Sequence, residues 1–155
     1  ASRDEIIVNM VSSLLKRVHL SGEIQAWNEE QTALVKEALD LHKQIRSDIP
    51  KSIPFWPLGM PRYADTWMCE AYKMPRKIRM AVWRMDEEKD RITIPFEDDI
   101  KSARILYPSR CEGAISTQGK ELTVTLNSPC TAAIIEMEIE HMTAKEAIEL
   151  VKMGK

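Results

Sequence analysis

The apolar positions of this chain change their period at Pro50. Between Asp4 and Arg17, Ile7, Val11, Leu14 and Leu15 recur at three- and four-residue spacing, with Val18 just beyond, which predicts a helix with one buried face. Ser21-Gly22 breaks that pattern. A second helix is predicted from Asn28, which has Gln31 three residues on, the capping-box arrangement. Leu34, Val35, Ala38, Leu39, Leu41, His42 and Ile45 then form a wide apolar face. Pro50 closes the helical region, because a proline disfavours helical backbone in the residue before it. Each helix is apolar on one side only, so each requires a packing partner.

After Pro50 the period is two. Thr66 to Lys73 and Lys77 to Met85 read as strands on either side of Met74-Pro75, with Ile78, Met80 and Val82 on one face and Met85 out of phase. Arg91 to Phe96, Ala103 to Tyr107, Ala114 to Thr117, Glu121 to Leu126 and Thr131 to Ile139 continue the series, with a turn at Gln118-Gly119. No helix-length pattern separates these strands, which disfavours parallel βαβ units and points to an antiparallel sandwich or barrel. Thr143 and Glu146 form a second capping box ahead of Ala147, Ile148, Leu150 and Val151, predicting a short C-terminal helix. The fold class is therefore α+β, mainly β: a helical hairpin over residues 1–50, an antiparallel β-sandwich over 51–140, and a helix or tail over 141–155.

Composition narrows the function classes. The 155 residues are 44% hydrophobic and 30% charged, a globular balance. A net charge of -2 with both signs interspersed gives no electrostatic reason to expect nucleic acid or an anionic membrane as partner. No apolar run approaches the roughly 18 to 20 residues that span a bilayer. Cys69, Cys111 and Cys130 are odd in number, far apart and without metal-ligand spacing, and read as small buried hydrophobes. The nine methionines suit an adaptable core or a protein-facing surface. No cofactor is expected.

Catalytic signatures are sparse. His19, His42 and His141 lack the helical offsets of a metal site, and His42 reads as a satisfied histidine on an apolar face. There is no Gly-x-Ser-x-Gly elbow, P-loop or dinucleotide fingerprint. A glycosidase needs only two carboxyls, about 5 to 9.5 Å apart. The acidic clusters Asp86-Glu87-Glu88 and Asp98-Asp99 nevertheless read as solvated turns beside short strands. Phe55, Trp56, Tyr63, Trp67, Tyr72 and Trp83 cluster within thirty residues. Aromatic faces can stack on sugar rings, and Trp67, Tyr72 and Trp83 are the candidates for that role, although filling a small sandwich is the weightier reading.

Several blocks together carry a resemblance. Arg17-Val18-His19-Leu20-Ser21-Gly22, Asn28-Glu29-Glu30-Gln31, Leu34-Val35-Lys36-Glu37 and Ile45-Arg46-Ser47-Asp48-Ile49-Pro50 resemble the last part of the catalytic barrel of bacterial α-galactosidases of glycoside hydrolase family 36. Pro54-Phe55-Trp56-Pro57-Leu58-Gly59 is the most family-like block. Trp67, Ala81-Val82-Trp83-Arg84, Ile92-Thr93-Ile94-Pro95 and Leu106-Tyr107-Pro108 carry the likeness into that family's C-terminal sandwich, so that it spans about Asn9 to Glu138.

The resemblance implies a (β/α)8 barrel and a retaining mechanism with two aspartates, in motifs this sequence does not contain. It assigns no catalytic residue here. Arg17 to Leu20 would correspond to the last barrel strand, so His19 and Ser21 would approach substrate in the intact enzyme, where barrel sites lie at the carboxyl ends of strands. A strand-to-helix loop turned by Gly22 is an equal reading for that segment. The expectation is a C-terminal portion of an α-galactosidase, inactive alone, whose partner is the missing barrel. A carbohydrate-binding module that takes galactosides and an oligomerisation module that forms a homo-oligomer on methionine-rich faces are the alternatives. The Ile45–Gly59 segment is expected to be a rigid packed junction.

Overall fold

The computed structural model describes residues 6–7, 10–12, 28–59, 66–85, 89–109, 113–127, 132–140, 148 and 151–152. Residues 6–7 and 10–12 are helical; Ile7 and Val11 are buried, as the apolar face read from the sequence requires, and Ile6 is buried with them. Helix α1 spans Glu29–Ile45. Its capping box closes in both directions: Gln31 N–H donates to Asn28 Oδ1 at 2.8 Å, and Asn28 N–H donates to Gln31 Oε1 at 3.0 Å. A helix begins with four N–H groups that have no intrahelical acceptor, and the Asn28 side chain satisfies one of them. Leu34, Val35, Ala38 and Ile45 form the buried side of α1. A 3-10 turn, Ile49–Lys51, follows and accommodates Pro50 near its start, where a missing N–H costs nothing.

Eight strands come next: β1 Ile53–Phe55, β2 Trp67–Met74, β3 Lys77–Arg84, β4 Arg91–Pro95, β5 Ile100–Tyr107, β6 Gly113–Gln118, β7 Glu121–Leu126 and β8 Ala132–Ile139. They form a five-stranded sheet in the order β1-β2-β3-β8-β5 and a three-stranded sheet in the order β4-β7-β6, with antiparallel pairing throughout. The chain passes between sheets at β3–β4, β4–β5, β5–β6 and β7–β8. The expected α+β, mainly β class is the class observed.

Three local differences have physical causes. Strand β1 was not expected, since Pro54 sits inside it; it lies at the sheet edge, where a proline forfeits no ladder bond to a second neighbour. Strand β5 begins at Ile100 rather than Ala103, with a register shift between Ile100 and Ser102 that interrupts strict alternation. The hairpin turn is Gly119-Lys120, one residue beyond the expected pair, because Gln118 pairs with Glu121 and Gly119 supplies φ 59°.

Alternation along the strands divides the buried residues into two layers. Between the sheets lie Trp67, Cys69 and Ala71 of β2, Ile78, Met80 and Val82 of β3, Ala133, Ile135 and Met137 of β8, and Ile94, Leu122, Val124 and Leu126 of the smaller sheet. The opposite face of the larger sheet presents Ala81, Ala132, Ile134 and Tyr107 to Ile7, Val11, Leu34, Val35 and Ala38. The order from one side to the other is thus helix, five-stranded sheet, three-stranded sheet. Tyr107 fixes the helix layer by donating its hydroxyl to Leu34 O at 3.0 Å.

Leu14, Leu15, Val18 and the Arg17–Leu20 segment lie outside the described residues, as do Thr143 and Glu146 of the tail. Within the tail, residues 148 and 151–152 are helical, and Ile148 and Val151 are exposed. Among the described residues no helix is long and apolar enough to cross a membrane.

Candidate functional site

Strand β2 sends Trp67, Cys69 and Ala71 between the sheets, and the next position of that row is Lys73. Its register partners Ile53 and Ile78 keep it on the inward face, and only 5% of the residue is exposed. The charge is balanced by Asp98 in the β4–β5 connection, whose Oδ2 meets Lys73 Nζ with the two side chains 9% and 6% exposed. Asp98 was read from the sequence as a solvated turn residue, and the structure corrects that reading: Asp99 is exposed, but Asp98 folds inward onto the lysine. A buried cation at the end of an apolar row requires a carboxylate there. Asp98 Oδ2 is enclosed and accepts no further hydrogen bond among the described residues, so Lys73 is what compensates its charge.

The backbone holds this pair in place. Phe96 N–H donates to Lys120 O at 2.8 Å and Ile100 N–H donates to Gly119 O at 2.9 Å, pinning both ends of the connection to the β6–β7 turn. On the other side, Gly59 N–H donates to Trp56 O at 2.9 Å, closing a turn directly after β1. That turn leaves Trp56 36% exposed. Between these two segments opens a cleft of about 470 Å³, lined by Ile53, Phe55, Trp56, Lys73, Phe96 and Asp98 among others. Phe55 and Phe96 meet edge to face at 6.2 Å, and Lys73 Nζ lies 5.8 Å from the centre of the Phe55 ring. The volume is that of a small-molecule site with an apolar wall and a few convergent polar groups.

A second charged cluster occupies the helix-facing side of the larger sheet. Arg79 of β3 and Glu136 of β8 are register partners, and Arg79 Nε donates to Glu136 Oε2 at 3.0 Å. Arg79 also donates to Asp48 Oδ2 at 2.8 Å, while Arg104 of β5 donates to Glu136 Oε1 at 3.0 Å. Burial alone would raise the Glu136 pKa, but hydrogen bonds from Arg79 and Arg104, and the charges of Arg79 and Lys77, outweigh it and hold the carboxyl below its ordinary value. This cluster ties the segment just after α1 to the centre of the sheet.

The aromatic candidates are dispersed rather than aligned. Trp67 is buried in the inter-sheet layer with its Nε1–H donating to Lys89 O at 3.1 Å. Tyr72 and Trp83 lie on the other face of that sheet, half-buried against the helix layer. Tyr72 donates to Glu70 Oε1 at 2.7 Å, and Trp83 Nε1–H donates to Ser12 Oγ at 3.1 Å. Burial, then the bond to Glu70 and its charge, pushes the Tyr72 pKa up. His19, Ser21 and the acidic run 86–88 lie outside the described residues. Among the described residues no three His, Cys, Asp or Glu side chains are grouped so as to hold a metal ion. Sequence reasoning missed Lys73 and set Asp98 aside as a solvated turn, although a lysine on the inward row after Trp67, Cys69 and Ala71 was a legible signal.

No family model matches this chain, and no curated protein matches it. Among solved structures it is similar to Alpha-L-fucosidase isoenzyme 2 from Paenibacillus thiaminolyticus, at 13% identity and a TM-score of 0.33. The likeness covers 75% of this chain and 20% of that one, so the chain spans about a fifth of that neighbour's length. So faint a likeness has no bearing on chemistry.

Proposed function

We propose that this chain is a non-catalytic C-terminal portion of a glycoside hydrolase of the α-galactosidase type, whose sandwich buttresses a catalytic barrel. The observation that carries this reading is the way α1 is fixed to the sandwich. It lies on the outer face of the larger sheet, and the Asp48–Arg79–Glu136 chain of ion pairs locks the residues just beyond its end to the middle of that sheet. A helix clamped in this manner to a sandwich suits an element that continues into a larger body. The sequence blocks around Pro54-Phe55-Trp56-Pro57-Leu58-Gly59 supply the family expectation.

Retaining hydrolysis needs two carboxyls about 5 to 5.5 Å apart with a sugar between them. In the cleft, Asp98 is committed to Lys73 and Glu97 is exposed beside it, which suits a scaffold better than a catalyst. Incubating the 155-residue chain with an aryl α-galactoside tests the reading: no turnover is expected. Turnover abolished by a single Asp or Glu substitution would overturn it. An upstream reading frame that encodes no barrel would remove the α-galactosidase assignment.

A further inference from the structure

We propose that the cleft between β1 and the β4–β5 connection is the docking site for this chain's own C-terminal segment, whose apolar face at Ile148 and Val151 covers the Trp56 rim. The proposal makes no use of the α-galactosidase reading, so the two can fail separately.

Exposed apolar surface is the starting point. Among the described residues the large hydrophobics left exposed are Trp56, Leu58, Ile148 and Val151. They fall in two places. Trp56 and Leu58 belong to the turn that closes after β1, and Ile148 and Val151 lie in the helical part of the tail at 57% and 65% exposure. Residues three apart share one face of a helix. The structure shows both patches uncovered, so the docked form is a second arrangement of the same chain, and it removes both patches from water together.

The place where the chain leaves the sandwich puts the segment within reach. Met137, Ile78, Lys73 and Ile53 are successive register partners across β8, β3, β2 and β1, so β8 ends at the end of the larger sheet where the cleft lies. Ile139 is also the register partner of Ile100, which follows Asp98 of the lining by two positions. Three strand spacings come to about 14 Å, and the link 141–147 can extend roughly 23 to 25 Å. Attachment to the same chain gives the segment a high effective concentration at the cleft, which favours it over a second copy.

Charge selects the same occupant. Lys73 and Asp98 compensate one another inside, whereas Glu97 is exposed in the lining, so the cleft is acidic on balance. The segment 141–155 holds three lysines and two glutamates, and Lys152 shares the face of Ile148 four positions on. A basic apolar helix face therefore meets an acidic aromatic cleft, with Phe55, Trp56 and Phe96 taking the apolar side chains and Glu97 taking Lys152.

The test places a nitroxide on Gly154→Cys of the 155-residue chain in a Cys111→Ser/Cys130→Ser background, where the remaining Cys69 is buried. The indole N–H resonance of Trp56 should be strongly attenuated. That of Trp67, at the opposite end of β2, should be spared and reports that the fold is intact. Ile148→Asp/Val151→Asp, at exposed positions, should lower the ratio of docked to undocked chains tenfold or more and restore the Trp56 signal. Glu97→Lys should lower that ratio severalfold. An unattenuated Trp56 signal, or attenuation unaltered by either variant, would overturn the proposal. Attenuation passing from spin-labelled chains to isotope-enriched chains that carry no label would overturn it too, because a second copy would then supply the segment.

Discussion

Glu136 of β8 is held from both neighbouring strands, and its buried tie is to Arg79 of β3, whose Nε donates to its Oε2 at 3.0 Å while both residues are buried. The carboxylate sits on an interior strand of the five-stranded sheet, and the second cation, Arg104, reaches it from the edge strand β5. A buried charge in such a place is tolerated only because each oxygen has a cationic donor.

Replacing that carboxylate has a pH-dependent effect. The Glu136 pKa is lowered on folding, so its contribution to stability is fully present above the ordinary value of 4.5 and is lost as pH falls through the folded value. Glu136→Gln should cost about 3 kcal/mol at neutral pH, at the lower end for a broken buried pair because Arg79 keeps Asp48. Urea unfolding at several pH values checks this. The gap between wild type and variant should be constant from neutral pH down to about pH 5 and narrow below it. A gap that widens on acidification would show that Glu136 is not stabilised as the anion.

The Lys73–Asp98 pair responds differently to single and double substitution. Asp98→Leu alone leaves a buried ammonium uncompensated and should cost about 3–5 kcal/mol, with Lys73→Met alone similarly harmful through the stranded carboxylate. The double variant should recover most of that loss, since apolar residues of similar volume are often neutral or better in such positions. A thermodynamic cycle built from denaturant unfolding measures the coupling. Additive losses in the cycle would mean that the two side chains do not depend on one another.

These two ion pairs mark the limit of what the sequence revealed. Alternation located β2, β3, β6, β7 and β8 to within a residue or so, and Asn28 with Gln31 fixed the start of α1, because both signals are local and physical. The pairing of β3 with β8 brings together residues 77–83 and 132–138, which no local pattern encodes. Glu136 interrupts the apolar run Ala132–Met137, yet its partner Arg79 lies 57 positions away. Asp98 shows the same limit. Its neighbours Glu97 and Asp99 are exposed, so an acidic turn was the natural reading until Lys73 supplied a reason for one of the three to fold inward.

Cys69 should be chemically silent in the folded protein. It lies in the inter-sheet core, and burial pushes its thiol pKa up to about 12 against a smaller lowering by a backbone hydrogen bond from Leu58. In a Cys111→Ser/Cys130→Ser background, reaction with an aromatic disulfide reagent at pH 8 should be limited by opening of the fold. It should become rapid in urea, with a midpoint that coincides with unfolding. Fast labelling without denaturant would place the thiol at the surface.

The junction after α1 provides the last test, since a linker and a packed joint differ in how a protease finds them. Lys51 is exposed and offers trypsin a suitable side chain, but the bond that follows it is tightly held. Ser52 is buried, its hydroxyl donates to Ile49 O at 2.7 Å, and its N–H donates to the same oxygen at 3.3 Å. Asp48 is paired to Arg79 on one side, and on the other Ile53 is already paired with Lys73 in the edge of the sheet. A protease must draw several residues on each side of its target into an extended form, which here means detaching β1 and breaking the Asp48 pair together. Cleavage after Lys51 should therefore share the urea dependence of global unfolding. Ser52→Ala should speed cleavage by lowering stability about 1 kcal/mol, without changing that dependence. Cleavage in native buffer that barely responds to urea would identify the segment as a flexible linker, and the clamp between helix and sandwich would then be absent in solution.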